Sequence, residues 1–489
     1  MKRGQMVAAL VGVAAASCQG ILGIEEPVLQ QDGGASCGSG TGCAGAGQTQ
    51  DSGATGDASS GGAGDAAGGA AGGGAGQPPD GGDAGPDAAV EAGTPDQVCA
   101  DGGCESACQS GAKQCDGSNG VQTCDGSGQW SAGAACTGQA CVGGACVGVC
   151  EPGATRCDGA SALETCSSSG QWGSGVACSS ASPYCFDGAC TADSPSCHGL
   201  AADCGPNASE SCCTSLLVTG GSFSRSYDNV TYTDPNYPAT VSDFYLDKYE
   251  VTVGRFRRFK VAWEQGWRPV LGAGAHTHLN GGSGLAATAG GNEAGWDGAW
   301  ESSVLVADAD LQCSASYQTW TAAAGAGETR AINCVNWYTS YAFCIWDGGF
   351  LPSEAEWNYA AAGGTEQRAH PWSSPSTDVT IDCTYANYNP GPICESAGVV
   401  AVGSRAKGNG RYGHSDLGGN VWEWQLDWYA AAYPTTSCND CANLASAADR
   451  GTRGGSVGSV ADYLLASFRA YNAPTYRSYG QGVRCARTR

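Results

Sequence analysis

Twelve cysteines between Cys108 and Cys190 fall into two runs of six, and this array constrains the chain more than any other feature of its sequence. The first run is Cys108, Cys115, Cys124, Cys136, Cys141 and Cys146. The second is Cys150, Cys157, Cys166, Cys178, Cys185 and Cys190. The steps are 7, 9, 12, 5, 5 and 7, 9, 12, 7, 5, with a register of 42 residues. Thr123-Cys124 recurs as Thr165-Cys166, and Gly128-Gln129-Trp130 as Gly170-Gln171-Trp172. Two homologous modules follow from this repetition. They hold few large apolar side chains, so crosslinks must stand in for a core. Neither run contains histidine, which favours disulfides over zinc. Six cysteines allow many pairings, so the connectivity stays open. The modules read as a stalk, or as small binding units with Trp130 and Trp172 as contacts.

The chain has 29 cysteines in 489 residues, which points to an oxidising compartment. Its N-terminus agrees. Lys2 and Arg3 precede an apolar run, Met6 to Ala16, too short to cross a bilayer. Ala15-Ala16-Ser17-Cys18 then resembles a bacterial lipobox, with Ala15 in place of the usual leucine. Residues 1–18 are therefore expected to be a lipoprotein signal that ends on the lipidated Cys18. Gln19 carries no inner-membrane retention signal by analogy, so the expected location is the outer membrane or cell surface of a Gram-negative bacterium. Residues 19–98 are mostly Gly, Ala, Asp, Ser and Gln. Such a segment buries too little apolar surface to offset its ordering entropy and should be a disordered tether, interrupted by Cys37 and Cys43.

Acidic residues outnumber basic ones 47 to 23. That balance argues against a nucleic-acid partner. The excess lies mainly in residues 1–212, which hold 22 acidic and 4 basic side chains. Residues 99–193 carry the repeats, and residues 194–213 form a connector with Cys197, Cys204, Cys212 and Cys213. Twelve of the 14 tryptophans follow it, so residues 214–489 hold the one large conventional core. There Val251 to Trp263 reads as a helix with Val253, Phe256, Phe259 and Val261 inward. Asn336 can cap a second helix. Ser353-Glu354-Ala355-Glu356 is a capping box for a third. Short strands and Gly-rich loops make up the rest, an α+β domain with much irregular structure.

Seven ordered segments give this domain a likeness. They are Gly220-Gly221-Ser222-Phe223, Phe244 to Thr252, Asn333-Cys334-Val335-Asn336-Trp337, Leu351 to Trp357, Gly419-Asn420-Val421-Trp422-Glu423-Trp424, Arg453-Gly454-Gly455-Ser456 and Gly482-Val483-Arg484-Cys485-Ala486. The set resembles the formylglycine-generating enzyme, or sulfatase-modifying factor, family. The resemblance implies a C-type-lectin-like variant fold. It also implies an enzyme that oxidises a client cysteine using copper on two cysteines after the Gly-Gly-Ser motif. Soft thiolates select Cu(I), but Ser459 and Leu464 stand at those positions here. Copper is not expected, and no catalytic residue is carried over.

The resemblance implies one retained disulfide, Cys344 with Cys485, and the loss of another at Ala361 and Ala470. Cys313 with Cys334, Cys383 with Cys394 and Cys438 with Cys441 are the expected replacements. The last is a Cys-x-x-Cys that reads as a loop clip or as a redox dithiol. The resemblance also implies calcium, held by Asp416 and Glu423 with the carbonyls of Gly419 and Val421. Such an oxygen set suits a hard cation. A second set maps to Asn387 and the Tyr388 carbonyl. His276 and His278 sit two apart in a Gly-rich loop, as a metal pair could, but a third ligand is missing. The histidine spacing of related iron sulfoxide synthases is also missing.

The expected function is a cell-surface lipoprotein whose C-terminal domain binds a peptide, protein or glycan without catalysis. The loop Gly272 to Trp300 and the segment Ser456 to Tyr463 are its exposed contact regions. The alternative is an oxidoreductase of the same superfamily, acting on a peptide or protein through a different metal centre.

Overall fold

A computed structural model describes residues 108–158, 161–179, 181–435 and 437–489. Cys18, Cys37, Cys43 and the 19–98 segment lie outside the described residues. Cys108–Gly111 and Cys124–Trp130 belong to one compact unit, and the remaining described residues belong to another.

The two modules share one disulfide order. Cys108 pairs with Cys124, Cys115 with Cys141, and Cys136 with Cys146. Cys150 pairs with Cys166, Cys157 with Cys185, and Cys178 with Cys190. Each run is thus joined first to third, second to fifth and fourth to sixth. Each module is a three-stranded antiparallel sheet followed by a two-stranded hairpin, Thr155–Asp158, Ala162–Thr165 and Val176–Ala177 and then Tyr184–Phe186 with Ala189–Thr191 in the second copy. Trp172 lies under the Arg156 guanidinium, 4.4 Å from ring centroid to Cζ.

Cys197 pairs with Cys213 and Cys204 with Cys212, so the adjacent cysteines belong to two different bridges. The connector is structurally part of the large domain. Ser196 Oγ accepts from Arg255 Nε at 2.9 Å, and Lys248 pairs with Glu210.

The large domain begins with β1 (Ser215–Val218), β2 (Gly221–Ser224), β3 (Pro238–Val241) and β4 (Phe244–Asp247). Three helices follow, α1 (Val253–Glu264), α2 (Trp337–Trp346) and α3 (Glu354–Ala361). The chain then forms β5 (Trp422–Trp428), β6 (Arg450–Arg453), β7 (Ala470–Asn472), β8 (Gln481–Gly482) and β9 (Ala486–Thr488). One sheet has the order β1-β4-β9, which sets the last strand against the first ones. The largest has the order β7-β6-β5-β8, with β5 and β8 parallel. The domain is mixed α and β, with long irregular connections.

The helices start where the caps place them. Asn336 Oδ1 accepts from Thr339 N at 2.8 Å. Ser353 and Glu356 form the reciprocal capping box. One sequence expectation fails. Val261 is 47% exposed, while Trp263 is buried. At 100° per residue, Val253, Phe256, Phe259 and Trp263 share a stripe and Val261 falls on the far face. That stripe meets α2: Phe256 stacks on Phe343 at 5.8 Å and Phe259 packs on Trp346 at 5.7 Å. Each such ring contributes about 1.5–3 kcal/mol by leaving water. Helix α3 is buried along its whole length. Its charge is tolerated because Glu354 pairs with both Arg453 and Arg469.

Candidate functional site

The loop before β5 reverses tightly. Asp416 (φ +58°), Gly419 (φ +97°) and Asn420 (φ +62°) all take left-handed backbone. A side chain at Gly419 would put a Cβ 2.7 Å from the Asn387 carbonyl oxygen, so only glycine fits. This turn presses Asp416 inward beside β5, where Glu423 points into the core.

Three buried carboxylates meet there: Glu250, Asp416 and Glu423. Sequence reasoning missed Glu250. Its one signal was an acidic residue between apolar Tyr249 and Val251 just ahead of α1. Arg484 is the cation bonded to one of them, and the Arg405 charge also acts on Asp416. Arg484 Nε lies 3.0 Å from both Glu423 oxygens and its Nη2 2.8 Å from Oε1. Trp357 Nε1 donates to Glu423 Oε2 at 2.6 Å. Glu423 is therefore matched, while Glu250 and Asp416 are served by neutral donors. Glu250 accepts from Asn420 Nδ2 at 2.8 Å and from Val421 N at 3.3 Å. Asp416 Oδ2 accepts from Gly403 N at 2.5 Å.

Burial, and then the Asp416 charge, hold the Glu250 carboxyl well above the usual carboxylate range. Burial pushes Asp416 up to about 6, and the Glu423 charge adds to it against the pull of the Gly403 amide and Arg484. The cluster carries more negative charge than its protein partners offset. Protons or a hard cation can supply the balance. Beside it, Asn387 Nδ2 donates to the Gly398 carbonyl and to Asn420 Oδ1, which leaves Asn387 Oδ1 buried without a partner. The Tyr388 carbonyl accepts from Cys394 N at 2.9 Å.

The segment after Gly454-Gly455 is closed rather than open. Ser456, Val457, Ser459 and Leu464 are buried, and Val460 and Asp462 are its exposed members. Ser459 Oγ accepts from Ser456 N at 2.9 Å, and the Ser459 carbonyl accepts from Asn389 N at 2.8 Å. Leu464 forms one buried cluster with Ala386 and Tyr388, against which Trp372 and the Cys383–Cys394 bridge pack. The loop held by that bridge thus lies against both Ser459 and Leu464. The expectation of an exposed Ser456–Tyr463 surface is corrected: aliphatic packing and a turn of serine hydrogen bonds fill it.

The loop Gly272 to Trp300 is mostly exposed or half-buried, as expected, and a few buried side chains anchor it. His276 is fully buried between two carboxylates, with Nδ1 2.9 Å from Glu293 Oε2 and Nε2 3.2 Å from Glu356 Oε2. Both ring nitrogens are occupied by carboxylates, so His276 is an ion-pair partner rather than half of a metal pair with His278. Trp296 of the same loop is fully buried against Trp300 and Tyr341. Cys344 pairs with Cys485, Cys313 with Cys334, and Cys438 with Cys441. Among the described residues, one group has the donor spacing of a metal cluster: Asp203, Cys204 and Cys212. Its two sulfurs are bonded to each other.

A family profile described as a sulfatase-modifying factor enzyme 1-like domain matches residues 200–489, which includes most of the connector. Mouse (Mus musculus) formylglycine-generating enzyme is 32% identical over 162 residues, covering 31% of this chain and 42% of that protein. The bovine (Bos taurus) protein named inactive C-alpha-formylglycine-generating enzyme 2 is 33% identical over 154 residues, covering 31% of this chain and 48% of its own length. The chain thus spans less than half of each of these relatives. The solved structure of PvdO from Pseudomonas aeruginosa aligns with 56% of this chain and 94% of its own, at 18% identity and a TM-score of 0.38.

Proposed function

The chain belongs to the sulfatase-modifying factor family, which holds both formylglycine-generating enzymes and inactive members, and on that footing we propose that its C-terminal domain is a non-catalytic binding module. The observation that carries this reading is the filling of the copper-cysteine positions. Ser459 spends its hydroxyl inside a turn, and Leu464 is sealed beneath the Cys383–Cys394 loop. A serine hydroxyl is a poor Cu(I) ligand and leucine is none.

The carboxylate cluster supports a structural calcium ion as part of the same reading. Asp416 and Glu423, with the carbonyls of Gly419 and Val421, would hold it, Glu423 by releasing part of its pairing with Arg484 and Trp357, and Asn387 Oδ1 is a buried acceptor without a partner beside them. When bound, calcium would neutralise the surplus charge of Glu250 and Asp416 and fix the turn between Asp416 and Val421.

The rest of the proposal rests on sequence. Lipidation at Cys18 would anchor the protein in a bacterial outer membrane, and residues 19–98 would space the domain from it. The ligand class is a peptide, protein or glycan at the cell surface. The test is elemental mass spectrometry on the exported protein, with thiol titration and oxygen consumption in the presence of cysteine-containing peptides. Calcium near one equivalent with neither copper nor oxygen uptake supports the reading. Stoichiometric copper or iron with oxygen uptake overturns it in favour of an oxidoreductase.

A further inference from the structure

A cleft of about 230 Å³ lies away from the Ser456–Leu464 segment, between the long loop and the largest sheet. Its walls include Trp300, Trp337, Tyr341, Trp428 and Arg450, and Glu293 also lines it. The Arg450 guanidinium is sandwiched between two indoles, 3.7 Å from the Trp337 ring centroid and 3.6 Å from that of Trp428. Its Nη1 donates to the Leu426 carbonyl at 2.5 Å. Arg255, Arg453 and Arg484 are equally buried and each meets a carboxylate, whereas buried Arg225 gives its guanidinium to the Tyr237 and Pro434 carbonyls. Among the described residues, Arg450 meets no carboxylate, and its Nε is buried without a partner. Burial pushes it down to about 9, with Tyr338, Asp427 and Tyr341 opposing.

Two further polar atoms in the cleft are unpartnered. Glu293 gives Oε2 to His276 and Leu285 N, which leaves Oε1 buried and free. The Tyr341 hydroxyl is likewise buried and free. Burial raises the Tyr341 phenol, the Glu293 charge raises it further and the Arg450 charge opposes. The hydroxyl thus feels both charges. A buried donor, acceptor or charge without a partner costs free energy. All three belong to residues that line one aromatic-walled cleft, and none finds its complement within the described residues.

We propose that this cleft binds a small zwitterion of the free amino-acid class. Its carboxylate sits on Arg450 Nε and its ammonium on Glu293 Oε1. The Tyr341 hydroxyl bonds to either group, and the apolar side chain lies against Trp300. A neutral sugar would fill the hydrogen bonds but bring no negative charge to Arg450, which meets no carboxylate directly, so charge complementarity favours the zwitterion. This inference goes beyond the proposed binding role and concerns a cleft lined by the long loop and not by the copper-cysteine positions. Copper found in the preceding test would not alter it.

The experiment is calorimetric titration of the full exported protein with glycine, L-leucine and L-phenylalanine. The methyl ester and the N-acetyl form of any binder, and D-glucose, complete the series. At least one amino acid is expected to bind, with the ester and the acetyl form each weaker by about tenfold or more. Tyr341→Phe removes an unpartnered hydroxyl, so it should keep the wild-type melting temperature and weaken the amino acid by about threefold to tenfold. Arg450→Met, if folded, should abolish the preference for the free acid over its ester. No amino-acid binding up to millimolar concentration overturns the proposal. So does glucose binding as tightly, or an ester that binds as well as the acid.

Discussion

Oε2 of Glu356 lies 3.2 Å from Nε2 of His276 while it also accepts from Ser353 N at 2.8 Å and from Ser353 Oγ at 2.9 Å. One carboxylate oxygen closes the cap of α3 and pins the long loop across 80 residues of chain. Burial pushes the His276 imidazole down, but the Glu356 and Glu293 charges outweigh it and lift it to about 10 from an ordinary 6.5. A raised pKa of this kind contributes stability that is complete below pH 6.5 and is lost as pH rises through about 10. His276→Gln leaves two buried carboxylates without a cation and should cost about 3–5 kcal/mol in urea unfolding at pH 7. The wild type should lose stability between pH 6.5 and 10, and the variant should not. A variant as stable as wild type would show that the clamp is not charged.

What could be read in the sequence was local or periodic. Asn336 and the Ser353–Glu356 box place two helices because caps act within one turn. The modules were visible because their cysteine steps repeat, yet spacing carries no pairing information, so the first-to-third, second-to-fifth, fourth-to-sixth order came only from the structure. Val261 was assigned to the core because periodicity over four residues tolerates one wrong neighbour. The His276 clamp could not be read, since neither carboxylate is near it in sequence. Nor could the surplus of charge at Asp416, which depends on Glu250 and Glu423 and on the cations Arg484 and Arg405, none of them its neighbour in sequence. Family motifs located that site, but not the loop that closes over Ser459.

Calcium should stabilise the protein more at pH 7 than at pH 5. Burial raises Asp416 to about 6 and Glu250 well above the carboxylate range. An acid raised in this way contributes stability below its ordinary value near 3.8 and loses it as pH rises through about 6. The metal-free protein should therefore lose stability over that window. Calcium competes with protons for the same oxygens, so its gain grows where the protons have left. Melting temperatures in calcium and in chelator, at both pH values, give the comparison. Asp416→Asn should weaken calcium by about tenfold while raising the metal-free melting temperature at pH 7. Equal melting temperatures in calcium and chelator at pH 7 would remove calcium from the proposal.

The disulfides should differ in worth by the chain they enclose. Cys344 and Cys485 are separated by 141 residues and Cys383 and Cys394 by 11. Loop-closure entropy assigns about 5 kcal/mol to the first and about 3 kcal/mol to the second. Paired alanine variants, compared by urea unfolding under oxidising conditions, should therefore rank in that order. The reverse ranking would mean that packing of the short loop over Leu464 outweighs chain entropy.

Restoring the two thiols separates loss of ligands from loss of the site. Ser459→Cys is nearly isosteric, and Leu464→Cys removes buried aliphatic volume at a cost of about 2–3 kcal/mol. The double variant should remain folded with a lower melting temperature and take up about one equivalent of Cu(I), whereas the parent takes none. Oxygen consumption with a cysteine-containing peptide should nevertheless stay at background. The Cys383–Cys394 loop still covers both positions, with Asn389 N bonded to the Ser459 carbonyl at 2.8 Å. Opening that loop by Cys383→Ser/Cys394→Ser in the copper-loaded variant then tests access alone. Oxygen uptake that appears only after this step shows that the loop is the barrier. A folded double variant that binds no copper shows instead that Ser459 and Leu464 are not the positions of the family's metal ligands.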